Sequence, residues 1–233
     1  MTIETMKVFV GYESSGVVRE AFRARGHDAW SCDYQAADDG SPYHLQGDVW
    51  AYIHGDWDLR ILHPTCTYLT ISAGWAYADP DFNKYPDVGY HQRVKAMTLT
   101  GADRRRARNL ALEEIRELMA LSGRWCIENP VGVIGSRIRP ATQTIHPYQF
   151  GDDASKRTCL WLQGLDPLIP TEYIPPRIIN NKKRWGNQTD SGQNRLPPSE
   201  DRWKARSKTY QGIADAMAAQ WGGGDFNQAK KGK

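Results

Sequence analysis

Two short strings carry the residue types that could do covalent chemistry, His63-Pro64-Thr65-Cys66 and Glu128-Asn129-Pro130. Each closes an apolar run of the buried-strand kind, Leu59-Arg60-Ile61-Leu62 before the first and Arg124-Trp125-Cys126-Ile127 before the second. In an open α/β sheet, ligands bind beyond the carboxyl ends of the strands. A thiol and a carboxyl delivered there can act on one substrate as nucleophile and acid, and the pairing suits attack on a pyrimidine ring. Cys66 follows a proline at a strand end and precedes a polar segment, which favours exposure. A nearby cation or helix N-terminus would stabilise its thiolate. A lone cysteine is more often a small buried hydrophobe, and Cys32, Cys126 and Cys159, in strand-like runs, are read that way. Glu128 needs a ligand, an arginine or a ring nitrogen, because a carboxylate is rarely buried without a partner. An ion pair with Arg137 or Arg139 is the structural alternative. His63 is assigned no role.

The elements that must position these groups follow from the pattern of the chain. Lys7–Val10 is a β-rich run ending at Gly11. Ser14 or Ser15 can cap a helix carrying Val17, Val18, Ala21, Phe22 and Ala24, stopped by Gly26. His27–Cys32 returns as a strand closed by Asp33, which completes the β-turn-α-β opening of a doubly wound fold. Gly47-Asp48-Val49 marks another strand end or turn, and Asp58–Leu62 is the next strand. Thr67–Gly101 has no clear period over 35 residues, a length that is usually functional or disordered. Ala102–Leu121 is predicted as a helix with Leu110, Ile115, Leu118 and Met119 inward. Arg104, Arg105, Arg106 and Arg108 at its start oppose the macrodipole and need another reason: a phosphate, a partner or plain solvent exposure. Thr158–Leu162 reads as a strand, Gly164–Ser207 as mostly loop, Tyr210–Trp221 as a final helix, and the last residues as a disordered tail. The fold class is α/β, a Rossmann-like doubly wound sheet with a small, loop-rich C-terminal elaboration.

The chain has 233 residues, with 30 lysines and arginines against 27 acids, a net charge of +3. The distribution says more than the sum. Between Pro176 and Lys208 stand Arg177, Lys182, Lys183, Arg184, Arg195, Arg202, Lys204, Arg206 and Lys208, against Asp190, Glu200 and Asp201. With Trp185 and Trp203 interleaved, that is either a phosphate-tracking surface or a solvated basic loop. Four scattered cysteines without C-x-x-C argue against a zinc site or a disulfide framework and for a reducing compartment. No signal peptide opens the sequence and no apolar run has membrane-spanning length, so a cytoplasmic protein with neither membrane nor metal partner is expected.

Gly11-Tyr12-Glu13-Ser14-Ser15-Gly16 is a glycine-containing strand-to-helix turn that lets a ligand approach the backbone. Glu13 disfavours a phosphate there and favours a cationic or hydroxyl-rich group, such as the amino acid end of S-adenosylmethionine. Asp33 stands where nucleotide-binding folds put an acid on ribose hydroxyls, and Asp48 can accept from an adenine amino group. Ordinary turn chemistry is the alternative for all three.

Taken together, these strings resemble the DNA (cytosine-5)-methyltransferase family, whose Pro-Pro-Cys motif carries the nucleophile and whose Glu-Asn-Val motif carries the glutamate that holds the cytosine. The matching residues here are Pro64-Thr65-Cys66 and Glu128-Asn129-Pro130, with threonine and proline as departures. The resemblance covers most of residues 7–162 and the closing helix from Gly212. It implies a class I methyltransferase sheet binding S-adenosylmethionine through Gly11, Glu13, Ser14, Gly16, Asp33, Asp48 and Pro64. It implies that Cys66 adds to C6 of a flipped-out cytosine while Glu128 holds N3 and the exocyclic amine. Arg137-Ile138-Arg139 has the composition of the family's arginine motif, which also contacts the base, although it follows directly on the glutamate motif. The 67–101 segment would close over the base. The implied layout is a cofactor-binding and catalytic core over 1–140, a target-recognition elaboration over 141–208, a helix over 209–224 returning to the core, and a tail over 225–233. So little chain for target recognition implies a short or lax target in DNA, as in compact phage-borne members, and a monomer fits. Another pyrimidine modification, on RNA or a free nucleotide or from a different donor, and a non-catalytic nucleic-acid binder are the competing functions.

Overall fold

A computed structural model describes residues 4–71, 74–78, 99–197, 199 and 202–223. The protein is α/β, built on a mostly parallel seven-stranded sheet. Its strands are β1 (Lys7–Gly11), β2 (Asp28–Asp33), β3 (His44–Gln46), β4 (Leu59–Leu62), β5 (Trp125–Pro130), β6 (Gln143–Ile145) and β7 (Thr158–Gln163). They lie in the order β3-β2-β1-β4-β5-β7-β6. The pairs β1/β2, β2/β3, β1/β4 and β4/β5 are parallel, and β6 pairs antiparallel with β7. The order 3-2-1-4-5 is that of a doubly wound Rossmann-like sheet, with its topological switch between β1 and β4.

The chain falls into two compact units, residues 1–64, 122–128 and 141–233, and residues 65–121 and 129–140. The core of the first unit explains why β1, β4 and β7 are near-continuous apolar runs, as strands covered on both faces must be. Val8, Val10, Ile61, Cys126 and Leu160 from the sheet join Val18 and Phe22 of helix α1 (Val17–Arg23). Ile213, Ala214 and Met217 from the closing helix complete that core. Residues 143–163 supply β6 and β7, so the chain outside the sheet is 164–208. That stretch is mostly loop, as expected, and within it β8 (Arg177–Ile179) and β9 (Lys182–Arg184) form a short antiparallel hairpin.

The second unit holds α2 (Gly101–Met119) and α3 (Ile134–Arg137). Leu112, Ile115 and Leu118 are the buried stripe of α2. Leu110, expected inward, is 66% exposed: it stands two residues before Leu112, about 200° around the helix. The arginines at the start of α2 have their reason inside the chain. Arg104 is buried and donates to the carbonyls of Leu99 (3.2 Å) and Thr67 (3.3 Å). Arg105 donates to Tyr77 O (2.7 Å), and Arg108 donates to Tyr68 O (2.9 Å) and lies over the Tyr77 ring. Arg106 pairs with Asp103. Arg104, Arg105 and Arg108 thus tie Thr67, Tyr77 and Tyr68 to α2. The rest of the expected closing loop, at 72–73 and 79–98, lies outside the described residues.

The remaining helices, α4 (Arg202–Ser207) and α5 (Gln211–Trp221), belong to the first unit. The expected final helix is α5; the tail, 225–233, lies outside the described residues. Among the described residues no helix is long and apolar enough to cross a membrane.

Candidate active site

The carboxyl ends of β1, β4 and β5 meet at the switch point. His63 N–H donates to Gly11 O at 3.0 Å, tying the residue after β4 to the last residue of β1. Leu62 is in register with Ile127, so His63 and Glu128 stand side by side one residue further along. His63 Nδ1 lies 3.3 Å from Glu128 Oε2. Burial pushes the Glu128 carboxyl up, but the His63 hydrogen bond and the positive charges of Lys156 and His63 outweigh it, and the net direction is down. Glu128 is therefore a carboxylate at neutral pH, held in a largely buried place. The partner is His63, a residue assigned no role from sequence, rather than an arginine. Lys156 was also missed; its signal is the Lys-Arg pair directly ahead of the apolar run Thr158–Leu162.

At the glycine turn the chain is packed closely against its own core. A Cβ on Gly11 would stand 2.8 Å from Leu62 Cδ2, and Gly16 holds φ 72. Between them Tyr12 holds φ 62, a left-handed conformation uncommon for an aromatic residue and of the kind that clusters at ligand sites. The cap of α1 is only partly a serine's: Ser15 Oγ accepts from Val17 N–H at 3.4 Å, and a carboxylate does the rest. Glu13, 5% exposed, accepts from Val18 N–H (2.8 Å), Arg19 N–H (3.3 Å) and the Ser15 hydroxyl (3.2 Å). With Gly16 left-handed, the chain folds back so that this carboxylate reaches the free N–H groups of the first turn. Ser14 O accepts from Asp38 N–H at 2.8 Å. Around Cys32, Asp33 Oδ1 accepts from Gln35 N–H (2.9 Å) and Asp48 Oδ1 from Trp50 N–H (3.0 Å). The other oxygen of each has no partner among the described residues. Beside the capped helix, the spare oxygens of Asp33 and Asp48 can accept from hydroxyl or amine groups.

The cysteines divide by environment. Burial, with Asp33 and Asp48 behind it, pushes the Cys32 thiol up to about 11. Burial also raises Cys126 and Cys159, with Glu128 adding to both. All three stay protonated thiols, as packing residues do. Cys66 is half-buried and belongs to the second unit, two residues past Pro64, which is buried in the first. Its carbonyl accepts from Leu69 N–H (2.9 Å) and Thr70 N–H (3.1 Å), a single helical turn. Behind that turn Thr70 forms an antiparallel bridge with Gly132, and Leu69 O accepts from Val133 N–H at 2.8 Å. Arg137 and Arg139 also lie in the second unit, both exposed, Arg137 closing α3. No family model matches the chain, and no curated protein matches it.

Proposed function

We propose that this protein transfers a methyl group from S-adenosylmethionine to C5 of cytosine in DNA, on a sheet of the class I methyltransferase kind. The observation that carries the reading is the largely buried Glu128 carboxylate at the carboxyl end of the sheet, held by His63 Nδ1 at 3.3 Å. Leu62 is in register with Ile127 just ahead of these two residues. Cys66 follows three residues after His63 in the chain.

The Cys66 thiolate adds to C6, and the C5–C6 π electrons make C5 a nucleophile. One Glu128 oxygen accepts from the exocyclic amine, and a proton taken up from solvent, bound on N3 and held by the other oxygen, neutralises the negative charge that thiolate addition puts on the ring as it becomes an enamine. After C5 takes the methyl group, a base removes the C5 proton, the double bond re-forms and Cys66 leaves as thiolate. S-adenosylmethionine, when bound, supplies an electrophilic methyl group on a sulfonium. Asp33 would hold its ribose and Asp48 its adenine amine, with Glu13 fixing the start of α1. A carboxylate at the ring edge selects cytosine, since the O4 of uracil or thymine would meet it with a lone pair.

The test is nucleoside mass spectrometry on DNA and RNA from cells expressing the wild type or Cys66→Ala. Methylcytosine in DNA, absent with Cys66→Ala, is the expected result. A product confined to RNA, or no Cys66-dependent product at all, would overturn the reading.

A further inference from the structure

Resting on DNA as the substrate, we infer that the β8–β9 hairpin is a reading ribbon that enters the major groove of duplex DNA, with Asn180, Asn181, Lys182 and Lys183 as its contact residues. Arg177–Arg184 holds four cations and no acid. Its register pairs Arg177 with Arg184, Ile178 with Lys183 and Ile179 with Lys182, leaving Asn180-Asn181 as a two-residue turn. Both asparagines are left-handed, φ 49 and 59, the conformation that a tight type I′ turn demands.

The hairpin has a fixed base and a free tip. Arg177 donates to Gln188 O (3.1 Å) and Trp185 O (3.4 Å), and Arg184 donates to Asp190 O (3.0 Å) and Ser191 O (3.4 Å). Gly192, φ +93, lets the Arg184 guanidinium lie against it: a Cβ there would stand 3.0 Å from Cζ. Trp185, read from sequence as part of the phosphate-tracking surface, is instead buried. It stacks on Tyr148 at 4.1 Å and donates to Ile174 O at 3.0 Å. Other cations of the segment are also tied down: Arg195 donates to Gln188 O, and Lys204 and Lys208 pair with Asp38. The side chains of Lys182 and Lys183 are exposed and their ammonium groups have no partner among the described residues, and Ile178 is 61% exposed.

A rigid stem with an unpartnered basic, amide-bearing tip serves no packing role, and its charge calls for a polyanion. A two-stranded ribbon fits the major groove of B-form DNA, whereas the deep, narrow groove of duplex RNA excludes it. The lysines would meet phosphates. The asparagine amides match the adenine edge and Ile178 matches the thymine methyl, so the ribbon favours A·T pairs beside the target.

The experiment compares wild type, Lys182→Ala/Lys183→Ala, Lys182→Arg/Lys183→Arg and Asn180→Gly/Asn181→Gly on one cytosine-containing duplex across a salt series. The glycine pair keeps the left-handed turn while removing both amides. Losing two phosphate contacts should flatten the log–log salt slope by about 1.8, and the arginine pair should restore it. The glycine pair should keep the slope and lose the preference for A·T flanks. An unchanged slope for the alanine pair would overturn the inference, as would an equal loss on duplex RNA or single-stranded DNA. Methyl transfer measured on the same samples separates the two readings. Product with unchanged binding removes the ribbon alone, and weakened binding without product in wild type removes the enzyme.

Discussion

A side chain on Gly132 would place its Cβ 2.1 Å from the carbonyl oxygen of Leu69, the oxygen that accepts from Val133 N–H. Three residues past Cys66 and four past Glu128, the chain is packed so closely that only glycine fits. Gly132→Ala must push the two segments apart without touching either motif. The expected result is a loss of product of about 10²-fold, since a shift of about 1 Å at reacting groups costs that much, with a circular dichroism spectrum like the wild type's. Full activity in Gly132→Ala would show that this pairing does not position the chemistry.

His63 and Glu128 give a second prediction, in pH. The folded Glu128 carboxyl titrates below its ordinary 4.5. As pH falls below that value, the unfolded chain takes up the proton first, so the stability that this carboxylate contributes is complete above it and is lost as pH drops through the folded value. The melting temperature of wild type should fall more steeply below about pH 4.5 than that of Glu128→Gln. At neutral pH Glu128→Gln should lower turnover by about 10²–10³, as removal of a group stabilising developing charge does. Parallel melting curves for the two proteins would refute the coupling.

The cysteines predict a trapping experiment. With fluorine in place of the C5 hydrogen of the target cytosine, no proton can leave and the thiolate cannot be expelled. Wild type should stay covalently joined to such a duplex and Cys66→Ala should not. Cys32→Ser, Cys126→Ser and Cys159→Ser should all trap, because their thiols are held protonated. An adduct mapped by peptide mass spectrometry to any residue but Cys66 would replace the nucleophile.

At the cofactor turn, three carboxylates with one sequence-level reading divide into two physical roles. S-adenosylhomocysteine should raise the melting temperature of wild type, by the equivalent of about 4 kcal/mol at a thousandfold excess over Kd. Asp33→Asn and Asp48→Asn should shrink that shift. Glu13→Gln should instead lower the ligand-free melting temperature, by about 1 kcal/mol for a weakened cap, and leave the ligand-induced shift largely intact. A calorimetric melt of each variant with and without ligand distinguishes these outcomes.

The sequence made β1, β2, β4, β7 and α5 legible because each buries an apolar run against one core. The short β6 escaped notice, and β3 was legible only as a strand end or turn at Gly47-Asp48-Val49, because three-residue strands carry too little pattern to announce themselves. The hairpin was hidden differently: Arg177 and Arg184 look like surface charge until the carbonyls they bind are known, although Asn180-Asn181 between two triplets is a turn signal. Glu128 was legible as a carboxylate in need of a partner. The partner was not, because His63 and Lys156 reach it by strand register and by a loop 28 residues further on in the chain, and neither relation shows in local spacing.

The α2 arginines carry the last prediction, in which a structural role and a DNA-binding role give opposite results. Arg104 is 5% exposed and satisfies the carbonyls of Leu99 and Thr67. Arg104→Met keeps the length and helix propensity of the side chain but leaves those acceptors without their donor. A buried acceptor left unpaired costs about 1–3 kcal/mol, so the urea midpoint should fall accordingly. The salt slope of DNA binding, measured where the variant is folded, should equal the wild type's, because a guanidinium engaged by the chain's own carbonyls releases no counterion from DNA. A flattened slope with an unchanged urea midpoint would instead put Arg104 on the phosphates.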